Sequence, residues 1–264
     1  MAAVIHTENL AVAFGEGDKR DVIFQNLNLS IEQGEFVTLI GVSGCGKSTL
    51  LRVILDLQEP TEGSVKTDAP KDKSKRSIAM VFQAANLMPW RTIAENIVLG
   101  LEGLEVAEDV REERVKSTLK LVGLEEMGER WPYQLSGGQR QRIGIARGLA
   151  VEPDILLMDE PFGALDAITR TGLQDELLRI WEETKKSILF VTHDLEEACY
   201  LADRVVLLGG KPANIVNEYK IEIPRSERRD GVEFLKVTEE VKAGLSEAIA
   251  TTMAERDKEK QGSL

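Results

Sequence analysis

A mainly parallel α/β fold, with an antiparallel β layer ahead of it and a helical insertion inside it, is predicted by three features of the sequence. The first is Gly41-Val-Ser-Gly-Cys-Gly-Lys-Ser-Thr49, which fits the pattern G-x-x-x-x-G-K-[ST] at every fixed position. The second is its setting. Phe36–Ile40 before it is an unbroken apolar run of the buried-strand kind, and Ser48–Leu55 after it opens a helix. The third is the return of that grammar downstream, where Ser77–Phe82, Ile155–Met158 and Ser187–Val191 are short apolar runs separated by helical stretches.

Gly41, Gly44 and Gly46 let the backbone wrap tightly with its N–H groups turned inward, and the helix that follows adds its positive end. An anion can be held there without a cage of side chains. Lys47 is placed to reach the outer phosphates of a triphosphate, and the Ser48 hydroxyl to ligate Mg²⁺. A glycine-rich turn with no ligand is the alternative, and the number of matching positions disfavours it.

With 264 residues, 42% of them hydrophobic, the chain can build one large α/β domain or two small ones. No window approaches the length of a membrane-spanning apolar helix, and Met1-Ala-Ala-Val-Ile-His6 lacks the basic start and apolar core of a signal peptide; a cytosolic protein is expected. Cys45 and Cys199 are the only cysteines, and His6 and His193 the only histidines. Neither a disulfide framework nor a Cys/His metal site is supported, so the metal expected is Mg²⁺ arriving with nucleotide. A net charge of −12 argues against a nucleic-acid surface, which shows as a basic patch.

Taken in order, Ile5 to about Ile31 alternates short apolar and polar segments around Gly15–Asp21, which marks the antiparallel layer. Phe14, at the edge of that turn, is either a core aromatic or a ring that stacks on adenine. Glu59–Gly63 is a turn and Thr67–Ser77 a charged loop. Ser77–Phe82 is the next buried strand and Gln83 closes it. Carboxyl ends of parallel strands face the ligand crevice of open α/β sheets, so Gln83 contacts Mg²⁺ or the attacking water, or else is a surface glutamine. Leu87 to Val98 is very apolar for a loop that opens into a helix at Thr92, and is either core or a docking surface. Arg111–Gly123 is an amphipathic helix with a solvated charged face.

Leu135-Ser-Gly-Gly-Gln139 opens a long helix, Arg140–Ala150, with Ser136 as its N-cap. Two glycines at a helix start make a second potential anion site, and a plain capped helix is the alternative. Ile155–Met158 ends in Asp159 and Glu160, and adjacent carboxylates at the end of a core strand are costly to desolvate. Asp159 suits Mg²⁺ and Glu160 a general base on water. A helix at Thr169–Thr184, a strand at Ser187–Val191, a helix at Leu195–Ala202 and a strand at Asp203–Leu208 follow. His193 falls at a strand end, where it hydrogen-bonds a terminal phosphate or is structural. Gly209-Gly210 turns into a last hairpin. Beyond it Val237, Val241, Leu245, Ile249 and Met253 recur every fourth position, which predicts one helix with one apolar stripe, packed on the body or else a partner or regulatory helix, with Asp257–Leu264 as a frayed end.

Together Gly41–Thr49, Gln83, Leu135–Gln139, Ile155–Glu160, Ala164-Leu-Asp166 and His193 resemble, in order and spacing, the ATP-binding subunits of ABC transporters, over residues 5 to about 223. The Leu135–Gln139 pentapeptide separates that family from other phosphate-loop NTPases. Leu87-Met-Pro-Trp90, Asp159–Asp166 and Val191–Ala198 resemble the branch serving nitrate, taurine and alkanesulfonate importers, and the polyamine and maltose branches share several of these motifs.

The resemblance implies a phosphate-loop NTPase with a RecA-like parallel-sheet core. Residues 1–225 would form the ABC ATPase domain, with a helical subdomain at about 84–150, and 226–264 a helical tail too short for the β-rich regulatory domain of some sugar importers. It implies ATP and Mg²⁺ as ligands, with Phe14 stacking on adenine. Gly41, Ser43, Gly44, Cys45, Gly46, Lys47, Ser48 and Thr49 would hold the phosphates, and Ser48, Gln83 and Asp159 the metal. Glu160, His193, Gln83 and Lys47 form the implied catalytic set. Ser136, Gly137, Gly138 and Gln139 would close over the nucleotide of a second ATPase subunit, a copy of this chain or a related one, an arrangement that two-fold symmetry repeats as two shared sites.

Leu87–Val98 would then receive a short cytoplasmic helix of a membrane-spanning permease, served in turn by a solute-binding protein. The implied activity is MgATP hydrolysis that drives uptake of a small solute, by a subunit peripheral to the cytoplasmic face of the inner membrane. An ABC-type ATPase acting on DNA or ribosomes is the alternative. The acidic balance and the lack of a visible coiled coil, zinc module or second ATPase domain disfavour it.

Overall fold

The computed structural model describes residues 3–17, 20–67, 72–229 and 231–262, and the chain divides into two compact units, Met1–Asp68 with Leu189–Leu264, and Ala69–Ile188. In the first unit β1 (Ala3–Phe14) pairs antiparallel with β2 (Asp21–Leu27), β3 (Ser30–Glu32) and β5 (Glu62–Thr67). This is the predicted antiparallel layer, of whose hairpin turn residues 18–19 lie outside the described ones. β5 stands where the sequence suggests only a turn and a charged loop. None of its residues is buried, so no alternation marks it. Residues 68–71 of that loop also lie outside the described ones.

β4 (Phe36–Gly41) is buried along its first five residues and runs parallel to β9 (Arg204–Gly209). β10 (Asn214–Lys220) returns antiparallel on β9, and β8 (Ser187–Val191) flanks β4, giving the order β10-β9-β4-β8. Strands this apolar on both faces need cover, and helices provide it. α1 (Lys47–Ile54) and α6 (Leu195–Leu201) pack on β4, and α7 (Val232–Gly262) packs on β9 and α6.

α7 corrects two expectations. It continues through Asp257–Gly262, where a frayed end is expected. Its buried side also turns away from the predicted stripe. Phe234, Val241 and Ala248 are in the core with Val237 and Leu245 packed against it, while Met253 is 58% exposed and Thr252 is fully buried. Four residues advance an α-helix by about 400°, so a strict fourfold repeat drifts by roughly 40° per step and its last member leaves the core face.

The entry to α7 is tied down by Arg228, 2% exposed, whose guanidinium donates to the carbonyls of Cys199 (3.4 Å), Tyr200 (2.9 Å), Ala202 (2.6 Å), Ile221 (3.2 Å) and Ile223 (2.9 Å). Three of these belong to the C-terminal end of α6, where unpaired carbonyls need a donor. Burial pushes the Arg228 pKa down to about 10, with Arg225 adding to the shift, and the group is still a cation at neutral pH. Arg228→Met keeps the apolar stem and removes the donors. It is expected to cost roughly 2–4 kcal/mol of stability, seen as a lower denaturation midpoint at unchanged slope.

In the second unit β6 (Ile78–Val81) and β7 (Ile155–Asp159) pair parallel, Val81 opposite Met158. α2 (Ile93–Leu101), α3 (Glu108–Leu121) and α4 (Gly137–Ala150) lie between them in sequence, in the stretch expected to be helical, and α5 (Ala167–Thr184) follows β7. Thr92 caps α2 through a reciprocal capping box with Glu95. α3 starts earlier than expected because its N-cap is Ala107, which has no side-chain acceptor to signal the start. α4 starts at Gly137, directly after Ser136, rather than at Arg140.

Candidate functional site

In the first unit β4 delivers the phosphate loop. Gly41, its last residue, pairs with Leu208 of β9, and a Cβ at Gly41 would lie 2.5 Å from the Leu208 carbonyl oxygen. Gly46 has φ 95°, and a Cβ there would meet Ile23 Cγ2 at 2.5 Å, so only glycine fits. Gly46 is also the N-cap of α1, where it offers no side-chain acceptor, and the first turn of α1 carries no acid. The leading N–H groups of α1 therefore carry partial positive charge that no acid of the helix's own first turn offsets. Lys47 is 8% exposed, and its Nζ donates to the carbonyls of Gly41 (2.9 Å) and Val42 (3.4 Å). This cationic, donor-rich cradle fits a polyphosphate.

Within the loop Ser43 and Gly44 are exposed and Ser48 and Thr49 half-buried. Cys45 is turned into the core, and its N–H donates to the Val42 carbonyl at 3.2 Å. Phe14 is 45% exposed beside Asp21 in the β1–β2 hairpin, which removes the reading of it as a core aromatic. His193 follows β8 and is exposed between two fixed neighbours. The Thr192 hydroxyl donates to the Glu197 carboxylate at 2.5 Å and accepts from the Asp194 N–H at 3.0 Å, while Asp194 caps α6.

In the second unit β7 carries Asp159 as its last residue, half-buried after four buried ones. Glu160 follows with φ 46°, a left-handed conformation uncommon for a glutamate, and such backbone outliers collect at functional sites. The Gly163 N–H donates to the Glu160 carbonyl at 3.0 Å and closes a turn. A Cβ on Gly163 would lie 2.9 Å from Gln83 Nε2, so the exposed Gln83 rests on the turn that carries Glu160.

Ser136, also exposed, caps α4 as expected: its Oγ accepts the Gln139 N–H at 3.2 Å, and Gln139 Oε1 accepts the Ser136 N–H at 2.9 Å. Gly138 is pressed against Thr169 of α5. Asp166 caps α5, and the backbone N–H of Thr169, then its hydroxyl, hold the Asp166 carboxyl below the usual range. Among the described residues no three His, Cys, Asp or Glu side chains gather to hold a metal. Mg²⁺ needs no such cluster, because it is usually held by one or two carboxylates together with nucleotide phosphates and water.

Residues 24–163 match the ABC transporter family. The chain belongs to that family. An uncharacterized ABC transporter ATP-binding protein of Methanocaldococcus jannaschii is 46% identical over 242 residues, 91% of each chain. The nitrate import ATP-binding protein NrtD of Synechococcus elongatus is 45% identical over 212 residues, 79% of this chain and 77% of its own. The taurine import ATP-binding protein TauB of Pseudomonas aeruginosa is 42% identical over 219 residues, 83% of each. A dimeric, post-hydrolysis structure of the ATP-binding cassette MJ0796 bound to ADP and Pi is 34% identical and superposes with a TM-score of 0.68 over 83% of this chain and 100% of its own. This protein is therefore an ABC ATP-binding subunit, of the branch that holds the nitrate and taurine import proteins.

In this ABC subunit α4 does more than present Ser136. Gln141 Nε2 donates to the Phe82 carbonyl at 3.0 Å, and the Arg147 guanidinium donates to the carbonyls of Ala85 (2.6 Å) and Asn86 (3.1 Å). Gly144 lies against Ala85, and burial lowers the pKa of Arg147. Gln83 is thus gripped on both sides by the helix that Ser136 starts. Sequence reasoning passes over Gln141 and Arg147. Their signal is a polar residue on a helix face otherwise made of glycine and alanine, where another backbone must approach.

The apolar segment Leu87–Val98 is split between core and surface. Ile93 and Ile97 are fully buried, while Trp90 is 69% exposed. Buried Asn96 folds the turn before α2, accepting from the Met88 N–H at 2.7 Å and donating to the carbonyls of Met88, Arg91 and Thr92. A groove of about 580 Å³ is lined by Ala94, Val98, Val115 and Leu119 and rimmed mostly by acids, among them Glu112, Glu125 and Glu129, with Arg111 and Lys116 between them. No helix among the described residues is long and apolar enough to cross a membrane.

Proposed function

We propose that this chain hydrolyses MgATP as one of a pair of ATPase subunits. Hydrolysis drives uptake of a small anion, of the nitrate, sulfonate and taurine class, through a separate membrane-spanning permease at the cytoplasmic face of the membrane. The observation that carries the reading is the start of α1, which has no side-chain cap, no acid in its first turn, and Lys47 folded over its loop. A helix start left in that state stabilises a polyphosphate.

The loop N–H groups from Gly41 to Thr49 and the Lys47 ammonium bind the phosphates, and exposed Phe14 stacks on the adenine. Ser48, Gln83 and Asp159 would hold Mg²⁺, which when bound neutralises charge building on the phosphate oxygens. Glu160 accepts the proton of the attacking water, and His193 donates a hydrogen bond to the terminal phosphate. Ser136, Gly137, Gly138 and Gln139 present the start of α4 to the nucleotide of the second subunit. Two-fold symmetry then gives two sites, and loss of the terminal phosphate removes the group that held the pair closed. Because Gln141 and Arg147 join α4 to the Gln83 segment, a change sensed at Gln83 reaches Ser136 as a rigid movement.

The permease would dock at exposed Trp90 and the mostly acidic groove of Ala94 and Val98, so its docking helix should be amphipathic and basic. Purification through this subunit is expected to recover a multi-span membrane protein whose detergent-solubilised complex hydrolyses ATP. Trp90→Ala with Val98→Asp should release that protein and leave ATP binding to the isolated subunit unchanged. Recovery of nucleic acid or ribosomes in place of a membrane protein would replace transport with the alternative.

A further inference from the structure

The turn that joins β9 to β10 is linked to both ends of the phosphate loop, through β9 at one end and through β2 at the other. At one end the Leu208 carbonyl lies against Gly41, with no room for a Cβ between them. At the other, Ile23 and Phe24 of β2 close on Gly46, at 2.5 and 2.9 Å from where its Cβ would be. Those two residues are registered by the same turn, because the Ala213 N–H donates to the Ile23 carbonyl at 2.9 Å and the Gln25 N–H donates to the Ala213 carbonyl at 3.1 Å. Lys211 adds an ion pair with Asp21 at the start of β2.

The far half of α7 grips this turn. Ala248 packs on Gly209. The Thr252 hydroxyl, fully buried, accepts the Gly210 N–H at 2.9 Å and donates to the Ala248 carbonyl at 2.6 Å. The Glu255 carboxylate accepts the Lys211 N–H at 2.8 Å. A groove of about 770 Å³ runs between α7 and the hairpin, lined by Asn217, Glu240 and Glu247 and, at the turn, by Gly210, Lys211 and Glu255. A buried threonine on an apolar helix face is costly unless its hydroxyl is used. Here it is used twice, and neither bond belongs to the chemistry derived above.

We propose that Thr252 and Glu255 are positioning residues for the phosphate loop. By clasping the backbone of Gly210 and Lys211 they fix the strand end behind Gly41 and the β2 segment behind Gly46, and so hold the loop's N–H groups at the spacing a polyphosphate needs. Preorganised donors bind charge without paying for their own ordering, so a looser loop binds ATP more weakly while its chemistry, once loaded, is unchanged. The proposal rests on the reading of Gly41–Thr49 as the nucleotide loop.

Thr252→Val keeps the shape and deletes the acceptor, and Thr252→Ser restores it. Glu255→Leu and Glu255→Gln form the same pair at a half-buried position. In the nucleotide-free full-length chain, Thr252→Val and Glu255→Leu should speed amide hydrogen exchange at Gly210 and across Ser43–Ser48. They should raise the Kd for ATP roughly 2- to 10-fold, the range one lost hydrogen bond allows. Turnover at saturating ATP in the permease complex should hold, and Thr252→Ser and Glu255→Gln should behave as wild type. Faster exchange at Gly210 with unchanged exchange across Ser43–Ser48 overturns the proposal. If Thr252→Val does not fold, the Glu255 pair decides alone. A wild-type chain that binds no ATP would remove the nucleotide reading, and the exchange measurement would still decide whether the clasp positions the loop.

Discussion

Glu160→Gln is expected to stop ATP turnover, lowering kcat by on the order of 10²- to 10⁴-fold, the usual worth of a general base, while ATP still binds. Glutamine matches glutamate in length and shape and differs in its inability to take a proton. Two backbone features at Glu160, the φ of 46° and the N–H of Gly163 bonded to the Glu160 carbonyl, also survive the change. Stability should therefore move little, and the lost activity belongs to the carboxylate. Because the terminal phosphate then persists, the variant should accumulate as a nucleotide-bound pair of subunits, seen by size-exclusion chromatography in MgATP. Phosphate release near the wild-type rate would assign the base elsewhere.

Much of the fold was legible because its strands are buried on both faces. Phe36–Ile40, Ile155–Met158 and Ser187–Val191 each stand out as apolar runs, and the buried strands fall on them. What escaped notice carries its reason in burial or in capping. β5 has no buried residue, α3 follows an N-cap alanine that has no side-chain acceptor, and the fourfold stripe of α7 has a period longer than that of the helix.

For the candidate site, Lys47, Ser136 and Gln83 are legible as candidates because their motifs are local in sequence. Gln141 and Arg147 were missed because their partners are main-chain carbonyls about 60 residues earlier, which no short pattern encodes. Thr252 and Glu255 were hidden for the same reason, their partners being the backbone N–H groups of a turn far up the chain. Cys45 shows the converse, a loop position whose side chain faces the core, so only its backbone is available to a ligand.

Ser136→Arg is expected to abolish ATPase activity in the assembled transporter while leaving ATP binding to the isolated subunit nearly unchanged. Two local costs come with it. The cap of α4 is lost, worth about 1 kcal/mol, and a cation is placed at the positive end of a helix, worth about 0.3–1 kcal/mol more. Ser136→Ala carries the first cost and adds no bulk, so it should show the same small fall in stability with partial activity. The gap between the two variants then measures the consequence of filling the space in front of α4 rather than of weakening the helix. Where that space belongs is decided by mixing. If α4 closes over the nucleotide of the second subunit, a pair built from one Ser136→Arg chain and one Lys47→Ala chain has both lesions in one of its two sites and keeps the other intact. If α4 closes over its own nucleotide, each site of that mixed pair carries one lesion and none is intact. Nucleotide trapped in one site of the mixed pair therefore supports a shared site, and loss of ATP binding by the isolated Ser136→Arg chain refutes it.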